Sequence, residues 1–112
     1  MRTIVGDQVL MRIFIGQSDK WEHRPLYGAL LELFRAKGLA GATVLQGIAG
    51  FGPDSILHEM HLFRLSQDLP IVVEVVDTQE HLDAVLPDVD RMMSGGLITM
   101  EKVRVLRYEK SG

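Results

Sequence analysis

Three glycines, Gly47, Gly50 and Gly52, follow a short apolar segment in the middle of the chain. Glycine weakens a strand and allows other atoms to approach the backbone closely, so this density indicates a special turn or a ligand-contacting loop. The spacing G-x-x-G-x-G differs from the dinucleotide-binding fingerprint, and no helix pattern clearly starts after it. The glycine-rich segment is equally consistent with a bulge that redirects the chain and with the wall of a ligand site. The two interpretations are compatible with each other.

A polar loop at residues 17–24 carries the chain's single tryptophan between charges of both signs. Such a loop is usually solvated surface. The functional alternative is a ligand site beside Asp19, in which Trp21 stacks on a base while Lys20 or Arg24 pairs with a phosphate. Trp21 also fits a subunit interface, where tryptophan is enriched.

Two histidines, His58 and His61, flank Glu59 in an H-E-x-H pattern. The helical zinc-protease motif places its histidines four positions apart on one helix face, so this pattern departs from it. A weak metal site completed by Glu59 or by a histidine of another copy remains an alternative. A role for His58 in a loop or an interface is the preferred interpretation.

Glu74 interrupts the most apolar segment of the chain, residues 69–76. A charge in such a segment is costly unless it is paired, so we expect Arg12 or Arg104 to pair with it. The alternative is that Glu74 faces a cleft between subunits. No serine–histidine–acid constellation or carboxylate pair stands out in the sequence, and an enzyme is therefore not predicted.

The length and composition are those of one ordinary globular domain: the chain has 112 residues, of which 46% are hydrophobic and 24% charged. A net charge of -3 gives no global attraction to nucleic acid. No segment reaches the roughly 18 apolar residues of a membrane span, so membrane insertion is not expected. The absence of cysteine excludes disulfides and thiolate metal sites. The N-terminus lacks a signal-peptide pattern, and the cytoplasm is the expected location.

Strands and helices alternate along the chain. Pro25 suits the first turn of one helix, which Gly38 would end, and Thr78 suits the N-cap of another, which Pro87 should kink. Strands are predicted at residues 9–15, 42–48, 69–76 and 97–108 by their apolar or alternating patterns.

The resulting order β-α-β-β-α-β is that of the ferredoxin-like α+β fold, in which two helices cover one face of a four-stranded antiparallel sheet. Residues 9–108 would form this domain, with residues 1–8 as a disordered extension and residues 109–112 as a tail. The other face of the sheet also needs cover, because the strand at residues 69–76 is apolar on both sides. Association of several copies would supply it.

Motifs along nearly the whole chain, from about Leu10 to Tyr108, resemble the PII-like family known as domain of unknown function 190. They occur in the family's order and include Ser18-Asp19-Lys20-Trp21, Gly38-Leu39-Ala40-Gly41-Ala42-Thr43-Val44, Gly50-Phe51-Gly52, Asp68-Leu69-Pro70 and Gly96-Leu97-Ile98-Thr99. The resemblance implies a ferredoxin-like homotrimer related to the nitrogen-regulatory PII proteins, in which small effectors, often adenine nucleotides, bind in clefts between subunits.

The resemblance also implies a long loop that reports the bound effector to a partner protein, typically a membrane ion transporter or an enzyme. On this chain that loop would span residues 51–65. The phosphate-contacting turn of PII proteins corresponds to residues 94–102, where Leu97 and Ile98 replace smaller and more polar residues. Lys102 would take the position of the phosphate-pairing lysine.

The predicted function is that of a signalling protein which binds an anionic effector, an adenine nucleotide, at subunit interfaces. The expected ligand-binding residues are Asp19, Lys20, Trp21, Gly47, Gly50, Phe51, Gly52, His58, Gly95, Gly96, Thr99 and Lys102. One alternative is a CutA-like metal-tolerance protein that uses His58, Glu59 and His61. The other is a trimeric interaction module without a small-molecule ligand, which the apolar Leu97 and Ile98 favour.

Overall fold

Six strands and two helices form the described part of the chain, residues 3–52 and 68–109 of a computed structural model. In chain order they are β1 (Gly6–Gly16), β2 (Lys20–Trp21), β3 (Arg24–Pro25), α1 (Leu26–Ala36), β4 (Thr43–Gln46), β5 (Pro70–Asp77), α2 (Gln79–Met92) and β6 (Leu97–Val105). The greater part of the predicted reporting loop, including His58, Glu59 and His61, lies outside the described residues. No helix within the described ranges is long and apolar enough to cross a membrane.

The main sheet contains four antiparallel strands in the spatial order β4–β5–β1–β6. Its strands alternate between a face that packs against α1 and α2 and a second face, which we call the open face. This is the ferredoxin-like α+β fold predicted from the order of the elements. The number of copies in the assembly stays a prediction.

The hydrophobic core lies between the sheet and the two helices. Each large apolar side chain buried there stabilises the fold by about 1.5–3 kcal/mol relative to an exposed position. The core side chains of the two central strands are Val9, Met11, Ile13, Ile15, Ile71, Val73 and Val75. Those of the helices are Leu26, Ala29, Leu30, Phe34, Leu82, Val85, Val89 and Met92.

The predicted helix boundaries are confirmed by the backbone. Pro25 precedes α1, and Gly38, at φ 75°, follows it. Leu39 donates its N–H to the carbonyl of Phe34 over 3.0 Å, which completes the glycine-dependent C-terminal cap. Thr78 caps α2 because its hydroxyl accepts the N–H of His81 over 3.1 Å.

Several strand boundaries differ from the prediction. β1 begins at Gly6 instead of residue 9, because Gly6, Asp7 and Gln8 continue the pairing with β6. Ile4 is buried as well, so residues 4–8 belong to the fold and not to a separate extension. β6 ends at Val105, earlier than predicted, and the chain then crosses towards the start of β4, where the Tyr108 hydroxyl donates to the carbonyl of Ala40.

The polar loop after β1 contains a small hairpin that the sequence pattern did not indicate. Strands β2 and β3 pair through Lys20 with Pro25 and Trp21 with Arg24. The two residues of the turn, Glu22 and His23, have φ values of 48° and 67°. Tight hairpins need this left-handed backbone, but they usually place asparagine and glycine there. The signal was missed because neither turn residue is a typical one.

Candidate functional site

One end of the sheet gathers most of the predicted ligand-binding residues. Strands β1 and β4 end there while β5 and β6 begin, as the pairs Gly16–Pro70, Gln46–Ile71 and Phe14–Leu97 show. This arrangement brings three segments to one edge of the fold, namely residues 16–20, 46–52 and 94–97. We call this edge the glycine end.

At the glycine end, two of the predicted glycines have a structural role. Gly47 donates its N–H to the carbonyl of Pro70 over 2.7 Å, and a Cβ at residue 47 would lie 2.6 Å from Cγ of that proline. Gly96 has φ 114°, and a Cβ there would lie 2.6 Å from the carbonyl oxygen of Phe14. Both positions therefore require glycine for packing, whereas a Cβ at Gly52 would meet no atom of the described residues within 4 Å.

Two carboxylates hold the loop that follows β1. Asp19 accepts the N–H of Gly16 over 3.0 Å, and Asp68 accepts the N–H of Ser18 over 2.8 Å. These bonds explain Asp19 as a turn-forming residue. They also place two negative groups beside the glycines, which disfavours a phosphate site built from this end of one chain alone. Lys20 is exposed nearby.

Trp21 is half-buried and packs against the core. Its strand β2 contacts α1, and Arg24 on β3 forms an ion pair with Glu32 of that helix. The indole therefore anchors the hairpin to the body of the fold. A stacking role would use whatever part of the ring remains exposed.

Lys102 lies away from the glycine end, whereas Thr99 is two residues along β6 from Leu97. Lys102 pairs with Val9 on the helix-facing side of the sheet, five residues along β6 from Leu97, or about 17 Å at the rise of a strand. It lines a cleft of about 700 Å³ with Arg104 and Thr78. Thr99 pairs with Arg12 on the open face. One chain therefore does not bring Lys102 together with Gly50 and Gly52.

A cleft of about 420 Å³ on the open face is the site that the sequence reasoning missed. Its floor belongs to β1 and β5, one wall to the start of β4, and its cover to the segment after β6. The described residues that line it are Ile4, Leu10, Ala40, Gly41, Ala42, Thr43, Glu74, Val76, Val105, Arg107 and Tyr108. Most of these are apolar or small, and Arg107 is the lining cation. We call it the open-face cleft.

The segments that flank the strands at both ends of the chain create this cleft. Ile4 and Leu10 are buried but do not belong to the core cluster on the helix side of the sheet. They are instead covered on the open face, where the segment after β6 is held by the hydrogen bond from Tyr108 to Ala40. The N–H of Ala40 is in turn bound by the buried carboxylate of Asp77 over 2.8 Å.

Glu74 lies in the floor of the open-face cleft and is paired with Arg12, one of the two arginines expected from the sequence. Arg12 Nε donates to Glu74 Oε2 over 2.8 Å, and Nη1 donates to Glu101 Oε1 over 2.6 Å. The hydrogen bond to Glu74, together with the bond and charge of Glu101, raises the pKa of Arg12 above its ordinary value. The guanidinium thus fixes the Glu74 carboxylate.

Arg107 is the exposed cation of the cleft. Its side chain is 80% accessible and forms an ion pair with Glu109 over 3.1 Å. Exposed pairs of this kind are weak, so a ligand anion can compete for the guanidinium. Arg107 lies beyond the end of β6 and reaches the cleft only because the chain crosses the open face after this strand.

The described residues contain no group of three or more histidine, aspartate or glutamate side chains that could hold a metal ion. The predicted metal candidates, His58 and His61, lie outside those residues. The CutA-like alternative therefore stays a prediction.

A family model named DUF190 and described as "Uncharacterized ACR" matches residues 8–105. The chain belongs to this family. A UPF0166 protein of Aquifex aeolicus is 39% identical over 97 residues, which cover 87% of this chain and 91% of the relative. A UPF0166 protein of Methanocaldococcus jannaschii is 33% identical over 101 residues, which cover 89% of this chain and 93% of the relative.

Solved structures of PII-like proteins share the fold of this DUF190 member. CPII from Thiomonas intermedia K12, in a structure bound to ADP, AMP and acetate, has a TM-score of 0.57 with 16% identity, covering 93% of each chain. A protein of Thermus thermophilus described as PII-like has a TM-score of 0.64 with 17% identity, covering 91% of this chain and 92% of the other. The PII-like fold predicted from the motifs is therefore confirmed.

Proposed function

We propose that this DUF190 protein is a PII-like regulator that binds an adenine nucleotide in the open-face cleft. The observation that carries the proposal is a mainly apolar cleft of about 420 Å³ in which Arg107 is the one cation among the described lining residues. The presence of ADP and AMP on CPII, a protein of the same fold, supports the choice of ligand.

The two parts of the cleft suit the two parts of a nucleotide. The base would lie against Val76 and Leu10, whose apolar surfaces favour a flat aromatic ring. The phosphates would extend towards Arg107, because a guanidinium binds phosphate oxygens through two parallel hydrogen bonds. The ion pair between Arg107 and Glu109 would open to allow this.

A neighbouring copy would complete the site. The turn at Gly95 and Gly96 lies at the opposite end of β6 from Val105, and the strand from Leu97 to Val105 spans eight residue steps, or about 26 Å. One nucleotide cannot contact both ends of the same chain. In a closed ring of copies, however, the glycine end of one chain can meet the open-face cleft of the next. The homotrimer predicted from the family resemblance is such a ring.

We propose that the effector signal leaves the site through the glycine end. The segment at residues 47–52 connects the rigid sheet, through the bond between Gly47 and Pro70, to the predicted reporting loop at residues 51–65. A ligand that contacts the loop in only one of its states would shift the population towards that state. The role is regulatory and not catalytic, in the cytoplasm, and the partner is a membrane ion transporter or an enzyme.

The test is a thermal-shift screen of the full chain against ATP, ADP, AMP, cyclic dinucleotides and divalent metal ions. An adenine nucleotide at a hundred times its Kd should stabilise the fold by about 2.7 kcal/mol and raise the melting temperature accordingly. No shift at millimolar nucleotide would overturn the proposal in favour of a ligand-free interaction module, and a shift with metal ions alone would favour the CutA-like function. A monomer in light scattering would contradict the shared site.

A further inference from the structure

Glu74 is the carboxylate of the open-face cleft, and its surroundings define what it can bind. Its side chain is 29% accessible and lies directly opposite Thr43 of β4. Oε2 accepts from Arg12, whereas Oε1 has no hydrogen-bond partner among the residues that the structure describes. A carboxylate paired with a guanidinium is an acceptor only, so Oε1 requires a donor from the ligand or from solvent.

Arg12 restricts where that acceptor can point. The guanidinium bridges Glu74 on β5 and Glu101 on β6, with contacts of 2.8 and 2.6 Å. Because the central strand holds the guanidinium, the Glu74 carboxylate cannot turn away from the cleft without losing this bond. Arg12 is thus a positioning residue, and Glu74 is the group that would touch the ligand.

We infer that Glu74 makes the open-face cleft selective for adenine over hypoxanthine and guanine, by accepting a hydrogen bond from the 6-amino group of the base. This inference rests on the proposed nucleotide-binding function. Adenine presents an amino donor at this position of the ring, whereas guanine presents an oxygen acceptor, as does hypoxanthine. With the 6-position directed at Glu74, hypoxanthine and guanine set two acceptors against each other and both lose a hydrogen bond. These bases could place a donor on the carboxylate only by shifting in the cleft so that their N1–H takes the place of the amino group.

The apolar part of the cleft cannot make this distinction. Leu10, Val76 and Val105 contact any purine equally well, and an apolar wall discriminates weakly between bases of the same shape. Arg107 recognises phosphate, which all the nucleotides share. The selective group must therefore be a polar side chain of the cleft. Glu74 is the carboxylate among the described lining residues, and Arg12 holds it in place.

Isothermal titration calorimetry with ADP and IDP tests the inference, because these two ligands share the ribose and phosphates and differ in the six-membered ring of the base. Wild-type protein should bind ADP at least about tenfold more tightly than IDP, the equivalent of one lost hydrogen bond. Glu74→Gln should reduce or reverse this preference, since its amide can donate to the 6-oxygen. Glu101→Gln is the matched control: it removes the other charged partner of Arg12 without lining the cleft, and it should keep the preference.

The failures of the two proposals are distinguishable. If wild type binds ADP and IDP equally, or if Glu74→Gln weakens both to the same extent, the carboxylate contacts the sugar or nothing, and the inference is wrong while nucleotide binding stands. If wild type binds neither ligand, the proposed function itself is wrong. Should Glu74→Gln not fold, as judged by circular dichroism, Glu74→Asp replaces it. That variant keeps the acceptor on a shorter side chain and should weaken ADP more than IDP, whereas an equal effect on both would overturn the inference.

Discussion

Arg12 and Glu74 lie directly opposite each other on the two central strands, and the guanidinium Nε donates to the carboxylate Oε2 over 2.8 Å. The same guanidinium binds Glu101 on the edge strand β6. One side chain therefore joins three strands across the open face. Glu74, the charged residue within the most apolar segment of the sequence, belongs to this network, which also borders the open-face cleft.

The Arg12–Glu74 pair should show a measurable coupling energy in a double-mutant cycle with Arg12→Met and Glu74→Gln. The pKa of Arg12 is raised in the folded state by the carboxylates of Glu74 and Glu101, so the contribution of its charge is present at neutral pH and on the alkaline side would be lost only at strongly alkaline pH. We expect salt, and not pH between neutral and moderately alkaline values, to weaken the coupling. Urea unfolding at low and high salt measures it. The more exposed Arg107–Glu109 pair is the control and should couple negligibly, and an equal coupling in both pairs would contradict the account.

Asp77 is fully buried and should be among the residues most sensitive to substitution. Its carboxylate accepts the N–H groups of Ala40 and Thr78 over 2.8 and 2.7 Å. Asp77→Ala leaves these donors without their acceptor and should lower the free energy of unfolding by about 1–3 kcal/mol or more. Asp90→Ala on the exposed surface of α2 is the control and should stay within about 0.5 kcal/mol of wild type. Equal urea midpoints for the two variants would contradict the structural role.

Gly47→Ala and Gly52→Ala should change the free energy of unfolding by different amounts or in opposite directions. A Cβ at residue 47 meets Cγ of Pro70 at 2.6 Å, and relieving this contact should cost about 1–3 kcal/mol of unfolding free energy. A Cβ at residue 52 would meet no atom of the described residues within 4 Å, so the alanine should be neutral or stabilise by up to about 1 kcal/mol. Thermal unfolding of both variants makes the comparison. An equal loss of thermal stability in the two variants would contradict the conclusion that packing requires glycine at residue 47 but not at residue 52.

The hairpin turn should accept a better sequence. Glu22 and His23 both have left-handed φ angles, which cost a residue with a side chain about 1 kcal/mol or more. The double substitution Glu22→Asn with His23→Gly supplies the residues that this turn prefers. Part of the gain is lost to the greater freedom of glycine in the unfolded chain, so we expect a net stabilisation of about 0.5–1 kcal/mol. A lower melting temperature would show that the native side chains of Glu22 and His23 make stabilising contacts, which would contradict this prediction.

The fold could be predicted from the sequence because its signals are local. Pro25, Gly38 and Thr78 mark helix ends through backbone preferences that act within one turn, and the apolar strands are recognisable by composition. The motifs and their order along the chain also allowed the family to be predicted. The pairing of Glu74 with an arginine was also predictable, since a charge in an apolar strand needs a partner, but the choice between Arg12 and Arg104 required the register of the strands.

The open-face cleft could not be predicted, because it depends on where the chain goes after a strand ends. Tyr108 and Ala40 form a hydrogen bond although they are 68 positions apart in the sequence, and no local sequence pattern predicts such a contact. Lys102 was chosen for its position after the glycine turn, but the alternation of β6 directs it to the helix side of the sheet. The hairpin at Glu22 and His23 was missed since its turn residues are atypical.

The most direct test of the central proposal is the affinity of the full chain for ADP, measured by isothermal titration calorimetry with wild type, Arg107→Ala and Arg104→Ala. Arg107 lines the open-face cleft, whereas Arg104 lines the other cleft, on the helix side of the sheet. We predict that ADP binds wild type and Arg104→Ala with similar affinity and that Arg107→Ala weakens binding by about tenfold or more, as expected for loss of a charge-assisted contact. No binding by wild type, or equal binding by all three proteins, would contradict a nucleotide site in the open-face cleft.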